Sequence, residues 1–410
     1  MKSFDIPVFY RSGIITKIKQ ARKVTDPRKK DFSPTVLDFG PVRYIIARHF
    51  GFCYGVENAI EISYRALEEN PGKRIFLLSE MIHNPDVNND LKERGIQFLM
   101  DTNGINLIDF DDLTPNDIVI IPAFGTTLEI EKELVSRNIA VKEYNTTCPF
   151  VEKVWNRSAK LGKDGFAIVI HGKAYHEETK ATYSHSKDSA PSLIIKNMKE
   201  AIELGKYISG ELPIEDFYLQ FEGKFSKGFI AEEHLFKLGV VNQTTMLATE
   251  TQAIANHLKQ KLIDKFGTEK YREHFADTRD TLCYATNDNQ SATYGLLKGG
   301  ADLAIVVGGY KSSNTSHIVE LCEEKMPTYF IQNADKLLSR DIISHYDLHT
   351  RQVTSTENYL LDKQPLDIIL TSGASCPDAV VEAVMMKILS YYTNVKSVES
   401  VLAGFDIAAE

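Results

Sequence analysis

From Val42 onward the chain alternates short runs of β-branched and aliphatic residues with longer segments whose apolar positions recur every three or four residues. That alternation predicts an α/β protein with mainly parallel sheets. Strands are expected at Val42 to Ala47, Arg74 to Leu78, Asp117 to Ile121, Phe166 to Ile170, Leu303 to Val307 and Asp367 to Thr371. Residues before Val42 hold a basic stretch, Lys17 to Lys30, without sustained periodicity, and read as an extension wrapped on the surface. The pattern divides the chain into an N-terminal extension (1–41), a first α/β lobe (42–147), a second lobe (148–282) with an insertion near 204–236, a third lobe (283–376) and a C-terminal helix and tail (377–410).

Three cysteines fall at equivalent places in this pattern. Tyr44 to Ala47 leads to Cys53 and a helical run from Val56; Val141 to Tyr144 leads to Cys148 and a helix from Phe150; Thr278 to Leu282 leads to Cys283 and a helix through Gln290 to Leu297. Each cysteine opens a helix, and three lobes presenting one thiolate apiece from a sheet's carboxyl edge suit a pseudo-threefold molecule with three ligands about a common centre. Cys322, inside an apolar helical run, reads as a buried small hydrophobe, and Cys376 could line a site without ligating anything.

Composition narrows the chemistry. Over 410 residues the chain has 43% hydrophobic and 25% charged residues, ordinary for a soluble globular protein, and no apolar run long enough to span a bilayer. A net charge of -9 argues against non-specific nucleic-acid binding. Met1 to Tyr10 does not read as a secretory signal, and five cysteines are too few for a disulfide framework, so a cytoplasmic protein with reduced thiols is expected. Structural zinc usually takes paired ligands on C-x-x-C turns, which are absent. Three isolated thiolates better suit a 4Fe-4S cluster with one open iron.

Polar loops at other strand ends complete the set. His83 lies in Met81-Ile82-His83-Asn84-Pro85, and His176 and Glu178 lie beyond the strand ending near Ile170. Asn242-Gln243-Thr244-Thr245, Gly309 to Asn314 and Thr371 to Ser375 are rich in hydroxyls and amides; the last two follow apolar strands and precede helices, so they could surround a phosphate. N-capping explains any one of them alone. None is a Walker A loop, so nucleotide hydrolysis is not expected. A carboxyl group such as Glu178, beside a cluster and a phosphate site, is a natural proton source for C–O cleavage.

In order along the chain, Gly51-Phe52-Cys53-x-Gly-Val, Ile82-His83-Asn84, Thr147-Cys148-Pro149, His176-x-Glu178, Gln243-Thr244-Thr245, Cys283-Tyr284-Ala285-Thr286, Ser312-Ser313-Asn314 and Gly373-Ala374-Ser375-x-Pro377-Asp378 form a series. From about Val42 to Leu389 the chain resembles the 4-hydroxy-3-methylbut-2-enyl diphosphate reductase (LytB) family. The resemblance implies a cloverleaf of three α/β lobes around one 4Fe-4S cluster per chain, with Cys53, Cys148 and Cys283 as ligands. It also implies that His83, His176, Thr244, Ser312, Ser313, Asn314 and Ser375 bind the diphosphate or line the pocket, and that Glu178, with Thr244 as relay, supplies protons. The implied reaction, last in the non-mevalonate isoprenoid pathway, removes the allylic hydroxyl as water with two electrons and two protons, giving isopentenyl and dimethylallyl diphosphates; ferredoxin or flavodoxin is the implied donor. Phe124 stands where many bacterial members carry histidine, as in the plant and cyanobacterial branch; Glu177 replaces a proline and Cys376 an alanine. Two other readings use some of the same residues: a non-catalytic iron-sulfur scaffold or electron carrier, and a zinc hydrolase.

Overall fold

The computed structural model describes residues 5–276, 281 and 283–405. The ends of the expected extension and tail (1–4 and 406–410), and the expected lead-in Thr278 to Leu282 apart from Thr281, lie outside the described residues. The chain forms two compact units, one of Met1–Glu57, His83–Asn88 and Tyr284–Glu410 and one of Asn58–Ile82 and Asn89–Cys283.

The first unit is built on a five-stranded sheet in the order Thr35–Asp38, Val42–Ile46, Leu366–Ser372, Leu303–Val307, Thr328–Ile331. Its first pair is antiparallel and the others parallel, with Leu366 opposite Val42 and Leu303 opposite Ile368. Leu303–Val307 is buried at every position, as a central strand covered by helices on both faces must be, whereas the edge strand Thr35–Asp38 alternates buried and exposed. The opening strand of the expected first lobe thus belongs to the sheet that carries the third-lobe strands. Propensity and periodicity identify a strand but carry no information about a partner more than three hundred residues away.

The expected surface extension contains a helix, Gly13–Thr25, whose Ile14, Ile15 and Ile18 are buried in the same core as the sheet. Its apolar stripe is short and interleaved with lysines, which is why the segment reads as merely basic. Ser12 caps it, accepting from the Ile15 amide at 2.8 Å. A hairpin, Ile342–Asp347 with Gln352–Glu357, completes the strands of this unit.

The second unit holds two parallel sheets. One is Gln97–Phe98, Ile75–Leu77, Ile118–Ile120, and the other Ser192–Ile195, Ala167–His171, Leu238–Asn242, Phe275–Ala276. With the sheet of the first unit this makes three α/β sheets, the number of lobes expected. The expected lead-in Val141 to Tyr144 is a turn, followed by a single bridge from Ile121 to Asn145. Residues near 204–236 fold as the end of the helix Met198–Ser209 and three short helical turns around Phe217, whose ring stands 5.1 to 5.8 Å from those of Tyr207, Phe221, Phe225 and Phe229. This cluster belongs to the core beneath the four-stranded sheet. Among the described residues no helix is long and apolar enough to cross a membrane.

Candidate functional site

In the second unit the central strands Ala167–His171 and Leu238–Asn242 run parallel with His171 opposite Asn242, so the loops that follow emerge side by side at the sheet's carboxyl edge. One loop ends at His176, the N-cap of the helix Glu177–Lys187; the other carries Gln243 and Thr244. His176 Nδ1 accepts the Glu178 amide at 3.2 Å, so this ring nitrogen carries no proton and Nε2 is left as the donor. The Glu178 carboxylate accepts the Thr244 amide and is 1% exposed. Burial pushes its pKa up from 4.5 to about 7, against the hydrogen bonds from Thr244, which favour the charged form. A carboxylic acid poised near neutrality is the result.

Gln243 holds the two loops together. Its side-chain oxygen accepts from the Lys173 amide at 3.2 Å and the Thr179 hydroxyl at 3.0 Å, and its amide group donates to Thr245 Oγ1 at 2.6 Å. Sequence reading placed Gln243 in a polar loop without a role, because nothing in the pattern says which loop it would brace.

Two of the three cysteines connect to this group. Cys148 caps the helix Pro149–Lys163, with its amide on the Ala123 carbonyl at 3.0 Å, and the neighbouring Phe124 packs its ring edge-on against His176 at 5.5 Å. Phe124 has no hydrogen-bond donor in its side chain and serves here as a packing partner of the His176 ring. Cys283 precedes the helix Tyr284–Leu297, and Thr281, two residues earlier, donates to Asn242 Oδ1 at 2.8 Å. A continuous series of contacts therefore links the Cys148 loop, Phe124, His176, Glu178, Thr244, Asn242 and the Cys283 loop. Glu177 accepts a hydrogen bond from Ser79, tying the end of the three-stranded sheet to the same helix start.

The first unit carries Cys53, His83, Ser312, Ser313, Asn314 and Ser375. Cys53 directly precedes the helix Tyr54–Glu69, and its amide meets the Ala374 carbonyl at 3.3 Å. Ser312 caps the helix Ser313–Glu323, accepting from the Thr315 amide at 3.3 Å. Asn314 Oδ1 accepts from the Ala374 amide at 2.9 Å and from Asn289 Nδ2 at 3.4 Å, which joins the loops after Leu303–Val307 and Leu366–Ser372. Asn314 Nδ2 and Ser375 Oγ are buried and have no hydrogen-bond partner among the described residues. Unsatisfied buried donors cost free energy unless something completes them. His83 is buried, and its carbonyl lies so close to Gly309 that a Cβ there would stand 2.0 Å from it. Asn289 is a further participant, in a stripe of buried polar residues, Thr286, Asn289, Gln290 and Thr293, at helical spacing. That stripe was the available signal for it.

All five cysteines are free thiols. Cys53, Cys148 and Cys283 are half-buried, each at the N-terminal end of a helix, where the peptide dipoles favour a thiolate. Cys322 and Cys376 are fully buried, which pushes their thiols up, Cys322 to about 12. The donor set thus fits an iron-sulfur cluster at the first three and not at the last two. Among the described residues, no group of three or more His, Cys, Asp or Glu is placed to hold a metal ion.

A profile of the LytB protein family matches residues 44–389. The chain belongs to the LytB family. Members similar to it include the 4-hydroxy-3-methylbut-2-enyl diphosphate reductases of Picosynechococcus, 37% identical over 92% of this chain and 91% of that protein, and of Thermosynechococcus vestitus, 40% identical over 86% and 85%. The fold is shared with the solved Plasmodium falciparum E-1-hydroxy-2-methyl-but-2-enyl-4-diphosphate reductase, with a TM-score of 0.58 at 24% identity over 82% of this chain and 85% of that one. A second family structure, (E)-4-hydroxy-3-methyl-but-2-enyl diphosphate reductase, gives a TM-score of 0.50 at 22% identity, covering 85% of this chain and 99% of that one.

Proposed function

We propose that this LytB protein is a cytoplasmic oxidoreductase that converts (E)-4-hydroxy-3-methylbut-2-enyl diphosphate to isopentenyl and dimethylallyl diphosphates. The substrate's hydroxyl leaves as water on uptake of two electrons and two protons. In this reading Cys53, Cys148 and Cys283 hold one 4Fe-4S cluster, the prosthetic group through which the electrons reach the substrate, and ferredoxin or flavodoxin supplies them. The reductases to which the chain is 37% and 40% identical support the substrate class.

The chain's own residues take the remaining tasks. Asn314, Ser312, Ser313 and Ser375, with His83, offer hydroxyl, amide and imidazole donors to the diphosphate, and the unpartnered Asn314 Nδ2 and Ser375 Oγ are the donors most in need of an anion. His176 presents Nε2–H, because its other ring nitrogen is engaged by the Glu178 amide. Glu178 holds the proton that the departing hydroxyl needs, and the Thr244 hydroxyl, also hydrogen-bonded to the carboxyl, relays that proton.

The observation that carries this reading is the placement of the Glu178 carboxyl, 1% exposed, beside His176 and hydrogen-bonded to the Thr244 amide, where burial raises its pKa to about 7. A non-catalytic iron-sulfur scaffold has no use for a buried carboxylic acid still half-protonated at neutral pH. The test is the pH dependence of single turnover by anaerobically reconstituted protein. The rate should fall above about pH 7 in wild type, and that limb should vanish in Glu178→Gln, whose residual rate is independent of pH. An identical limb in the variant would place the proton source elsewhere.

A further inference from the structure

The sequence before Val42 has no part in the proposed chemistry, yet its contacts converge on the six residues that lead to Cys53. Arg48, Phe50 and Phe52 alternate along this stretch, and each meets the N-terminal segment. Arg48 Nη2 donates to the carbonyls of Arg22 and Asp26 at 3.4 and 3.3 Å, satisfying the C-terminal end of the helix Gly13–Thr25. Its Nε lies 3.5 Å from the Asp26 carboxylate, and its side chain is 5% exposed. Lys19 Nζ donates to the Phe50 carbonyl at 3.0 Å and to both Asp378 oxygens at 2.8 Å, and stands 4.6 Å from the centre of the Phe50 ring. Tyr10 packs edge-on against Phe52 at 5.7 Å. Between these rungs, the His49 ring meets Phe32 at 5.7 Å.

Gly51 shows how closely the segment is fitted. Its φ of +78° suits glycine, and a Cβ would stand 2.2 Å from Asp378 Oδ1 and 3.0 Å from Lys19 Nζ. The Lys19–Asp378 pair therefore closes directly over the turn into Cys53. Asp378 opens the helix Asp378–Leu389, and the arm is anchored to that helix a second time, since Ser12 donates to Glu382 and the Ile14 amide meets the same carboxylate at 3.2 Å.

We infer that residues 8–32 are a clamp that sets the position of the Cys53 loop, with Lys19 as its positioning residue. The clamp itself stands on these contacts; its consequence for the cluster rests on the reading of Cys53 as a ligand. A cation with three oxygen acceptors, one of them a backbone carbonyl of the loop, fixes both the turn and the helix beside it. Without it, the loop loses its tie and Asp378 its counter-charge.

The test uses the full chain with Lys19→Met, which keeps length and removes the cation, Lys19→Arg, and Tyr10→Leu, which removes the ring contact on Phe52. In cluster-free protein, hydrogen exchange of the amides from 49 to 53 should quicken about tenfold or more in Lys19→Met, with the strand Ala167–His171 unchanged. Lys19→Arg should recover most of the protection, and Tyr10→Leu should show a smaller change confined to the same loop. In reconstituted protein held anaerobically, Lys19→Met should release iron to a chelator faster than wild type. Loop exchange within twofold of wild type in both Lys19→Met and Tyr10→Leu would overturn the clamp. Faster exchange with unchanged iron release would uphold the clamp and overturn Cys53 as a ligand.

Discussion

At Glu178 opposing effects meet, and burial wins. The carboxyl is in the first turn of a helix and accepts the Thr244 amide, both of which favour the ionised form, yet desolvation raises its pKa to about 7. The group is protonated in both folded and unfolded protein below about pH 4.5. Between 4.5 and 7 only the folded protein holds the proton, so this residue's contribution to stability is present at low pH and lost as the pH rises through 7. The loss should approach roughly 3 kcal/mol, and chemical denaturation from pH 4.5 to 8 should show a flatter profile for Glu178→Gln. The same variant should keep its cluster spectrum and substrate affinity while its single-turnover rate drops about a hundredfold to ten-thousandfold. Asn314→Ala should raise the substrate dissociation constant about tenfold or more, by calorimetry, because it removes a buried donor that would face a charged phosphate. The pair His176-x-Glu178 was legible in the sequence, since both residues sit in one motif. The burial that gives Glu178 its proton was not, because it depends on the Thr244 loop, which arrives from a strand sixty residues further on.

Helices begun by cysteine are the recurring element. Cys148→Ser should lose most of its iron on anaerobic reconstitution, because a hydroxyl is rarely ionised and a poor substitute for thiolate, whereas Cys322→Ala should retain it. The insertion near 204–236 is a separate element with a structural role. Phe217, fully buried and packed among the rings of Tyr207, Tyr218, Phe221, Phe225 and Phe229, should cost about 3 to 5 kcal/mol when changed to alanine, with little change in turnover per folded molecule. The six expected strands were legible to within a residue, because continuous apolar runs such as Leu303–Val307 leave no alternative, whereas Ser192–Ile195, Leu238–Asn242 and Thr328–Ile331 were not singled out. The helix Gly13–Thr25 was not, because Lys17, Lys19, Arg22 and Lys23 dominate its composition and its buried face is only three isoleucines wide.

For the whole molecule, the antiparallel edge strand Thr35–Asp38, its neighbour Val42–Ile46 and the strand Leu366–Ser372 join the two ends of the chain in one sheet. Local patterns announced three α/β sheets but gave no means of seeing that the first strand after the extension would pair with the last, a contact set by long-range packing alone. The most direct measurement of the proposed reaction is product analysis after the anaerobically reconstituted protein, reduced chemically, is incubated with (E)-4-hydroxy-3-methylbut-2-enyl diphosphate. Isopentenyl and dimethylallyl diphosphates should accumulate over many turnovers per cluster, and Cys148→Ser should form neither. Full recovery of unreacted substrate from protein carrying an intact, reduced cluster would contradict the account.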